Sequence, residues 1–186
     1  MPYIKQEDRS VYDVSIKNIC EIIVQEERDI NRAEMAAWVC RKVICRFLKI
    51  PYVAHFSELK LDSQMMHSLR KYSDVVCAVF ESKFRENDPQ AILNISGEFN
   101  YFISSILWGV SGDAPGYSDA RYGFRCYLSS LIEEVLYEIP NIQGDVNQKR
   151  KYVMIKGVLR DVLMELYRQK TSVYEDIKIE ENGNLW

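Results

Sequence analysis

The residues best suited to chemistry lie in one helical stretch, where Tyr101, Ser104, Ser105 and Trp108 recur at spacings of three and four. Side chains at these spacings share one face of a helix. Aromatic rings beside hydroxyl groups suit a planar ligand that stacks on a ring and is hydrogen-bonded at its edge. The pattern therefore predicts a small-molecule site, in which we include the neighbouring Asn100. A helix-packing face, with small serines allowing close approach, is the competing interpretation.

The C-terminal part offers a second candidate site, because Tyr167 and Arg168 are followed by Tyr174. The planar guanidinium of an arginine can bind a phosphate or a carboxylate through two parallel hydrogen bonds. Arg168 and Tyr174 are therefore predicted to bind a ligand. Glu165 lies three residues before Arg168, so an ion pair within one helix explains this spacing equally well.

Recognisable catalytic motifs are absent from the sequence. Its two histidines, His55 and His67, belong to no nucleophile motif. Its five cysteines are scattered over apolar stripes and lack the spacing of a zinc site. Glu26 and Asp29 supply only half of the acidic cage that holds Mg²⁺ in helical nucleotide hydrolases. We therefore predict a protein without enzymatic activity, metal or cofactor; a metal-dependent enzyme that lacks a familiar motif is the alternative.

The composition limits the partners and the compartment. The chain has 47% hydrophobic and 27% charged residues, as ordinary globular proteins do, and its formal net charge is -3. A negative balance argues against binding nucleic acid, which favours a basic face. No apolar run approaches the ~20 residues of a membrane span, and the start MPYIKQEDRS is charged where a signal peptide is apolar. The number of cysteines is odd, so they are most simply read as reduced thiols. The absence of a membrane span and of a signal peptide, together with reduced thiols, predicts a cytoplasmic protein.

Six segments have apolar residues at helical spacing, separated by Pro, Gly or clustered polar residues. The predicted helices run over about 11–28, 31–49, 62–85, 89–110, 119–139 and 149–171. In the first helix Val14 is expected to face the core, whereas in the second Trp38 is expected opposite the buried stripe. The fourth is expected to bury a stripe of six apolar residues: Phe99, Phe102, Ile103, Ile106, Leu107 and Val110.

We predict one all-α domain that spans all 186 residues, a bundle of about six helices with short extended arms at both ends. The tail, residues 172–186, is expected to be extended, with Ile177 and Ile179 on one side. A lone extended segment cannot bury its apolar side. Pairing with Tyr3-Ile4 or with another subunit would cover these isoleucines, and we predict a homo-oligomer.

An internal similarity relates two of the predicted helices. The run from Val75 to Arg85 matches the run from Val158 to Arg168 in the spacing and type of its apolar residues. A duplicated helical half explains this match. Chance explains it too, because any two amphipathic helices can be aligned on their stripes.

Three blocks of the chain carry a resemblance. The first is Met1 to Arg9, and the second is the helix start Gly97-Glu98-Phe99-Asn100-Tyr101-x-Ile103-Ser104. The third comprises Gly157-Val158-Leu159, Glu165, Tyr167-Arg168, Tyr174-Glu175-Asp176, Lys178-Ile179 and Asn182-Gly183. These blocks resemble those of a family of short uncharacterised proteins of bacteriophages and bacteria, which look like this chain without its second and third helices. Residues 29–95 would then be an insertion or a duplicated half. The resemblance implies a phage or mobile-element accessory protein, and it implies no activity.

Together these observations lead to the hypothesis of a phage-encoded, non-enzymatic protein that binds a small molecule. A nucleotide-derived immune signal of the host, sequestered against host defence, is the ligand that fits this setting. The alternative is an adaptor or inhibitor that docks on a host or phage protein through Trp38, Trp108 or the tail. Neither hypothesis involves nucleic acid or a membrane.

Overall fold

The computed structural model describes residues 6–50, 63–84, 88–111, 126–127, 129–133, 146–168, 172, 176–177 and 179–180. Helices form in this order: α1 Gln6–Val24, α2 Asp29–Leu48, α3 Ser63–Lys83, α4 Pro89–Ser111, α5 with described residues 126–127 and 129–133, and α6 Val146–Leu166. The described residues contain no strand. An all-α bundle of six helices is therefore confirmed. None of its described helices has both the length and the apolar composition that a membrane crossing requires.

The helix ends follow local chemistry. Pro89 opens α4, as predicted, because a proline at the first helical position loses no hydrogen bond. α2 ends at Leu48, after which Lys49 adopts the left-handed conformation with φ of 54°. There the N–H of Lys49 bonds the carbonyl of Arg46, and the N–H of Ile50 bonds that of Cys45. This pair of bonds closes the helix two residues before Pro51.

α4 lies at the centre of the bundle, where it contacts α1, α2, α3 and α6. All six residues of its predicted stripe are buried. Aromatic rings from four helices meet there: Phe80 stacks on Phe99 with ring centroids 3.8 Å apart, Tyr12 stacks on Phe80 at 5.2 Å, and Phe47 meets Phe99 edge-on at 4.9 Å. Such ring pairs add to the free energy gained by burying their area.

Two predictions about helix faces are wrong. Val14 is exposed, and Trp38, expected on the outer side of α2, is only 3% exposed. α2 contacts four other helices, and the small side chains of Ala33, Ala36 and Ala37 let them approach on more than one side. A helix that is buried nearly all round has no single apolar stripe from which its orientation can be read. Since Trp38 is buried, it is not a docking residue for an adaptor.

The prediction of an extended tail is also wrong for the residues that the structure describes. Ser172, Asp176, Ile177, Ile179 and Glu180 are helical. Ser172 Oγ donates a hydrogen bond to the carbonyl of Arg168, 2.7 Å away, one turn earlier. No strand is present among the described residues to pair with this segment, so local helical bonds satisfy its backbone.

The segment proposed as an insertion is an integral part of the core. Within residues 29–95, α2 and α3 contribute to one hydrophobic cluster with α1, α4 and α6. The expectation of an insertion or a duplicated half stays a prediction. The expected pairing of the tail with Tyr3-Ile4 lies outside the described residues, as does His55.

Gly109 lies where α4 packs closely against Cys20 of α1. A Cβ atom at this position would lie 2.5 Å from Cys20 Sγ and 3.3 Å from Cys20 Cβ. Gly109→Ala is therefore expected to push the two helices apart and to lower the free energy of unfolding by about 1–3 kcal/mol, as measured by urea denaturation. In a Cys20→Ala background the sulfur is gone, so the same substitution should cost less than half as much. An equal cost in both backgrounds would contradict the close contact.

Candidate functional site

The predicted ligand-binding residues of α4 form one surface, which we call the α4 face: Asn100, Tyr101, Ser104, Ser105 and Trp108. Tyr101, the two serines and Trp108 are half-buried, whereas Asn100 is only 7% exposed. Asn100, Ser104 and Trp108 follow one another at intervals of four residues, so they line up along the helix axis. The surface is neither fully packed, as a helix contact would be, nor fully solvated.

Tyr101 joins the α4 face to α1. Its hydroxyl donates a hydrogen bond to Asp13 Oδ1 at 2.7 Å, and the guanidinium carbon of Arg9 lies 5.2 Å from the centre of its ring. Burial, and then the bond to Asp13, raise the pKa of the Tyr101 hydroxyl above its ordinary value. The hydroxyl therefore stays protonated and acts as a donor at neutral pH. Arg9 and Asp13 are members of the site that the sequence did not reveal.

Asn100 carries the least satisfied polar group of the α4 face. Its Oδ1 accepts a long hydrogen bond from Ser104 Oγ at 3.4 Å. Its Nδ2 is buried and, within the described part of the chain, has no hydrogen-bond partner. An unsatisfied buried donor costs about 1–3 kcal/mol. Buried polar groups are satisfied in the great majority of cases, so this one marks a place where an external acceptor would be stabilising.

No relative assigns a role to this face. Comparison of the chain with models of protein families, with curated proteins and with solved structures found no match. The chemistry of the site therefore rests on its own geometry. Over the residues that the structure describes, no group of three or more His, Cys, Asp or Glu side chains is placed to hold a metal ion.

The second predicted site is arranged as an ion pair. Arg168 Nε lies 3.0 Å from Glu165 Oε2, and Arg168 Nη2 lies 2.6 Å from Glu165 Oε1. The carboxylate of Glu165 is buried and the guanidinium is largely exposed. The Nε and Nη2 groups of Arg168, which could donate two parallel hydrogen bonds to a phosphate, thus donate to the carboxylate of Glu165. Tyr174, the other predicted residue, lies outside the described residues.

A groove of about 600 Å³ adjoins Arg168, with walls formed by Glu133, Asp161, Leu163, Met164, Glu165 and Tyr167. Three carboxylates face this volume against one guanidinium. Such a balance disfavours an anionic ligand, because like charges repel most strongly where water is partly excluded. The ligand-binding role of Arg168 stays a prediction; the guanidinium placed beside Tyr101 is that of Arg9.

A buried charged cluster holds the α4 face in position. Glu98 is 5% exposed, accepts a hydrogen bond from the hydroxyl of the fully buried Tyr12, and pairs with Lys83 Nζ at 2.7 Å. Burial, followed by the bond to Glu98, raises the pKa of Tyr12, so its hydroxyl keeps its proton and donates. The cluster fixes the register of α1, α3 and α4. It thereby sets Asp13, the residue after Tyr12, opposite Tyr101, which lies three residues after Glu98.

Proposed function

We propose that this protein is a non-enzymatic binding protein that captures a planar, nucleotide-derived small molecule on the α4 face. The observation that carries the proposal is the buried Asn100 amide, whose Nδ2 has no acceptor in the described part of the chain. A ligand that supplies an acceptor removes the cost of that unsatisfied donor. Asn100 keeps a small exposed area, and we expect a ligand to reach its amide there after a rotation of the side chain.

The groups around Asn100 match the parts of a nucleotide. An asparagine amide can both donate to and accept from the edge of an adenine base. The half-buried ring of Trp108 offers a stacking surface, and the hydroxyls of Ser104 and Ser105 suit the sugar. A guanidinium has five N–H donors, so Arg9 can bond a phosphate while it lies over Tyr101.

The resemblance to bacteriophage proteins supports a role against host defence. The resembling block from Gly97 to Ser104 contains Glu98 of the buried cluster and three residues of the α4 face. A protein that captures a nucleotide-derived immune signal needs affinity and no turnover. This is consistent with a site built from an amide, hydroxyls, aromatic rings and a guanidinium.

Asn100→Leu separates binding from stability and is the decisive variant. Leucine has nearly the shape of asparagine and no donor to leave unsatisfied, so the free energy of unfolding should stay the same or rise by about 1–3 kcal/mol. Binding should weaken at least tenfold, measured by calorimetry and by the thermal shift that cyclic nucleotides or ADP-ribose derivatives produce. Asn94→Leu is the matched control, because Asn94 is exposed on the same helix and should leave binding unchanged.

Two results would overturn the proposal. One is the absence of any thermal shift or heat of binding for the wild-type protein across the nucleotide series. The other is a wild-type affinity in Asn100→Leu, since the amide would then take no part in recognition.

A further inference from the structure

α6 presents large apolar side chains to solvent on one side. Met164 is 71% exposed, Val153 is 68% exposed and Tyr167 is 52% exposed. With Gly157 between them, these four residues alternate at helical spacings along one line, which we call the α6 ridge. Among the described residues, the other exposed large apolar side chains are three on α1, one each on α2 and α3, and Ile179 in the tail. Met164 and Val153 are the two most exposed of the whole set, and they lie on one line of α6.

Gly157 is unexplained by the fold of one subunit. It lies in the middle of α6, where glycine is the least favourable residue after proline. A Cβ atom at this position would meet nothing within 4 Å. No neighbour among the described residues of the subunit therefore requires the glycine. A second helix that crosses at this point would require it, because the side chains at a crossing set how closely two helices approach.

We propose that the α6 ridge binds a second copy of this chain, with the two α6 helices crossing in parallel at Gly157. Val153, Gly157, Met164 and Tyr167 fall on the a and d positions of a heptad pattern. Arg160 occupies the remaining position, where its long side chain can turn outward to a flank. A two-fold axis then brings each residue of the ridge against its own counterpart.

The charges beside the ridge favour this parallel arrangement. Lys156 lies on one flank of the ridge. Asp161 lies on the other flank together with Arg168, whose guanidinium is paired with Glu165. In a parallel pair each flank faces the opposite flank, so Lys156 meets Asp161 of the second copy, five residues further along. An antiparallel pair would oppose the basic flanks of the two copies. Within its own subunit the ammonium group of Lys156 lies 4.5 Å from the centre of the Tyr152 ring.

The groove beside the ridge fits the same arrangement. Its wall contains Asp161 from the flank of the ridge and Glu133 from α5. The ammonium group of Lys156 from the second copy would lie against them. The excess of carboxylates in this groove disfavours an anionic ligand. The same excess favours the ammonium group of Lys156 from another subunit.

Sedimentation analysis and light scattering test the dimer directly. The wild-type protein is expected to dimerise. Gly157→Arg is expected to weaken dimerisation at least tenfold without lowering the urea midpoint of the monomer, since position 157 is exposed and a Cβ atom there meets nothing within 4 Å. Lys156→Asp and Asp161→Lys should each weaken the dimer at least fivefold, and together they should restore it. A monomeric wild type, or a dimer indifferent to Gly157→Arg, would overturn the proposal.

Cross-linking tests the parallel sense. Cys126 is exposed, so the experiment uses a Cys126→Ser background in which the remaining described cysteines are wholly or partly buried. Val153→Cys should then form a disulfide between the two copies on mild oxidation. A dimer in which residue 153 does not cross-link would exclude the parallel crossing. Binding of nucleotides can be measured on the Gly157→Arg monomer, so failure of the dimer and failure of ligand capture are distinguishable.

Discussion

Glu98→Leu is expected to lower the free energy of unfolding by about 3 kcal/mol, because it breaks a buried ion pair from one side. It leaves the Tyr12 hydroxyl without its acceptor inside the core and the Lys83 ammonium without its carboxylate. Lys83 is 32% exposed, so water partly solvates its charge and keeps the loss at the lower end of the range for buried pairs. Urea denaturation at neutral pH measures the effect.

The partners of Glu98 supply the controls. Lys83→Met leaves the carboxylate buried without a cation and should be comparably destabilising. The double variant Glu98→Leu and Lys83→Met removes both charges, so its loss should be clearly smaller than the sum of the two single losses. If the single losses simply added, Glu98 and Lys83 would not be coupled, and the cluster would not fix the register of α1, α3 and α4.

Raising the pH above 9 is expected to destabilise the protein steeply. Burial raises the pKa of the Cys20 and Cys77 thiols from 9.0 to about 11 and that of the Cys40 thiol to about 12. It also raises the pKa of Tyr12. These groups keep their protons in the fold and release them earlier in the unfolded chain. Their contribution is complete below the unfolded pKa and is lost as the pH rises through the folded pKa.

The free energy of unfolding can fall by about 1.4 kcal/mol per pH unit for each of these groups. Urea denaturation under reducing conditions, repeated at several values between pH 8 and pH 11, should therefore show a slope that steepens as the pH rises. Cys40→Ala is the matched variant. It loses some packing at every pH, and above pH 9 its free energy of unfolding should fall less steeply with pH, by up to about 1.4 kcal/mol per pH unit, because one thiol fewer releases a proton. A free energy of unfolding that stays flat to pH 11 would contradict the burial of these thiols.

The sequence predicts a fold element well where its apolar residues form a single stripe. The stripe of α4 is such a case, and all six of its residues are buried. α2 is different, because small alanines and Trp38 leave it apolar on several sides, and only the packing of four neighbours decides its orientation. The tail shows a third situation: alternation around Ile177 and Ile179 indicated a strand, but no partner strand is present in the described chain.

The candidate site was partly visible for a similar reason. Asn100, Tyr101, Ser104 and Trp108 lie on one helix, so their shared face follows from spacing alone. Their partners Arg9 and Asp13 are about ninety positions away in the sequence. Only the register of α1 against α4 brings them together, and a pattern of local spacing carries no information on that register. Glu98 was inside a recognised block, yet its burial depends on the same register.

The central position of α4 also bears on how such a protein can diversify. Its inner residues are each enclosed by several helices, so most replacements there would disturb the whole bundle. The outer edge of the same helix, with Ser104, Ser105 and Trp108 only half-enclosed, tolerates exchange far more readily. If the α4 face binds the proposed ligand, related chains can therefore change their ligand through a few surface replacements on α4 while the rest of the bundle stays the same.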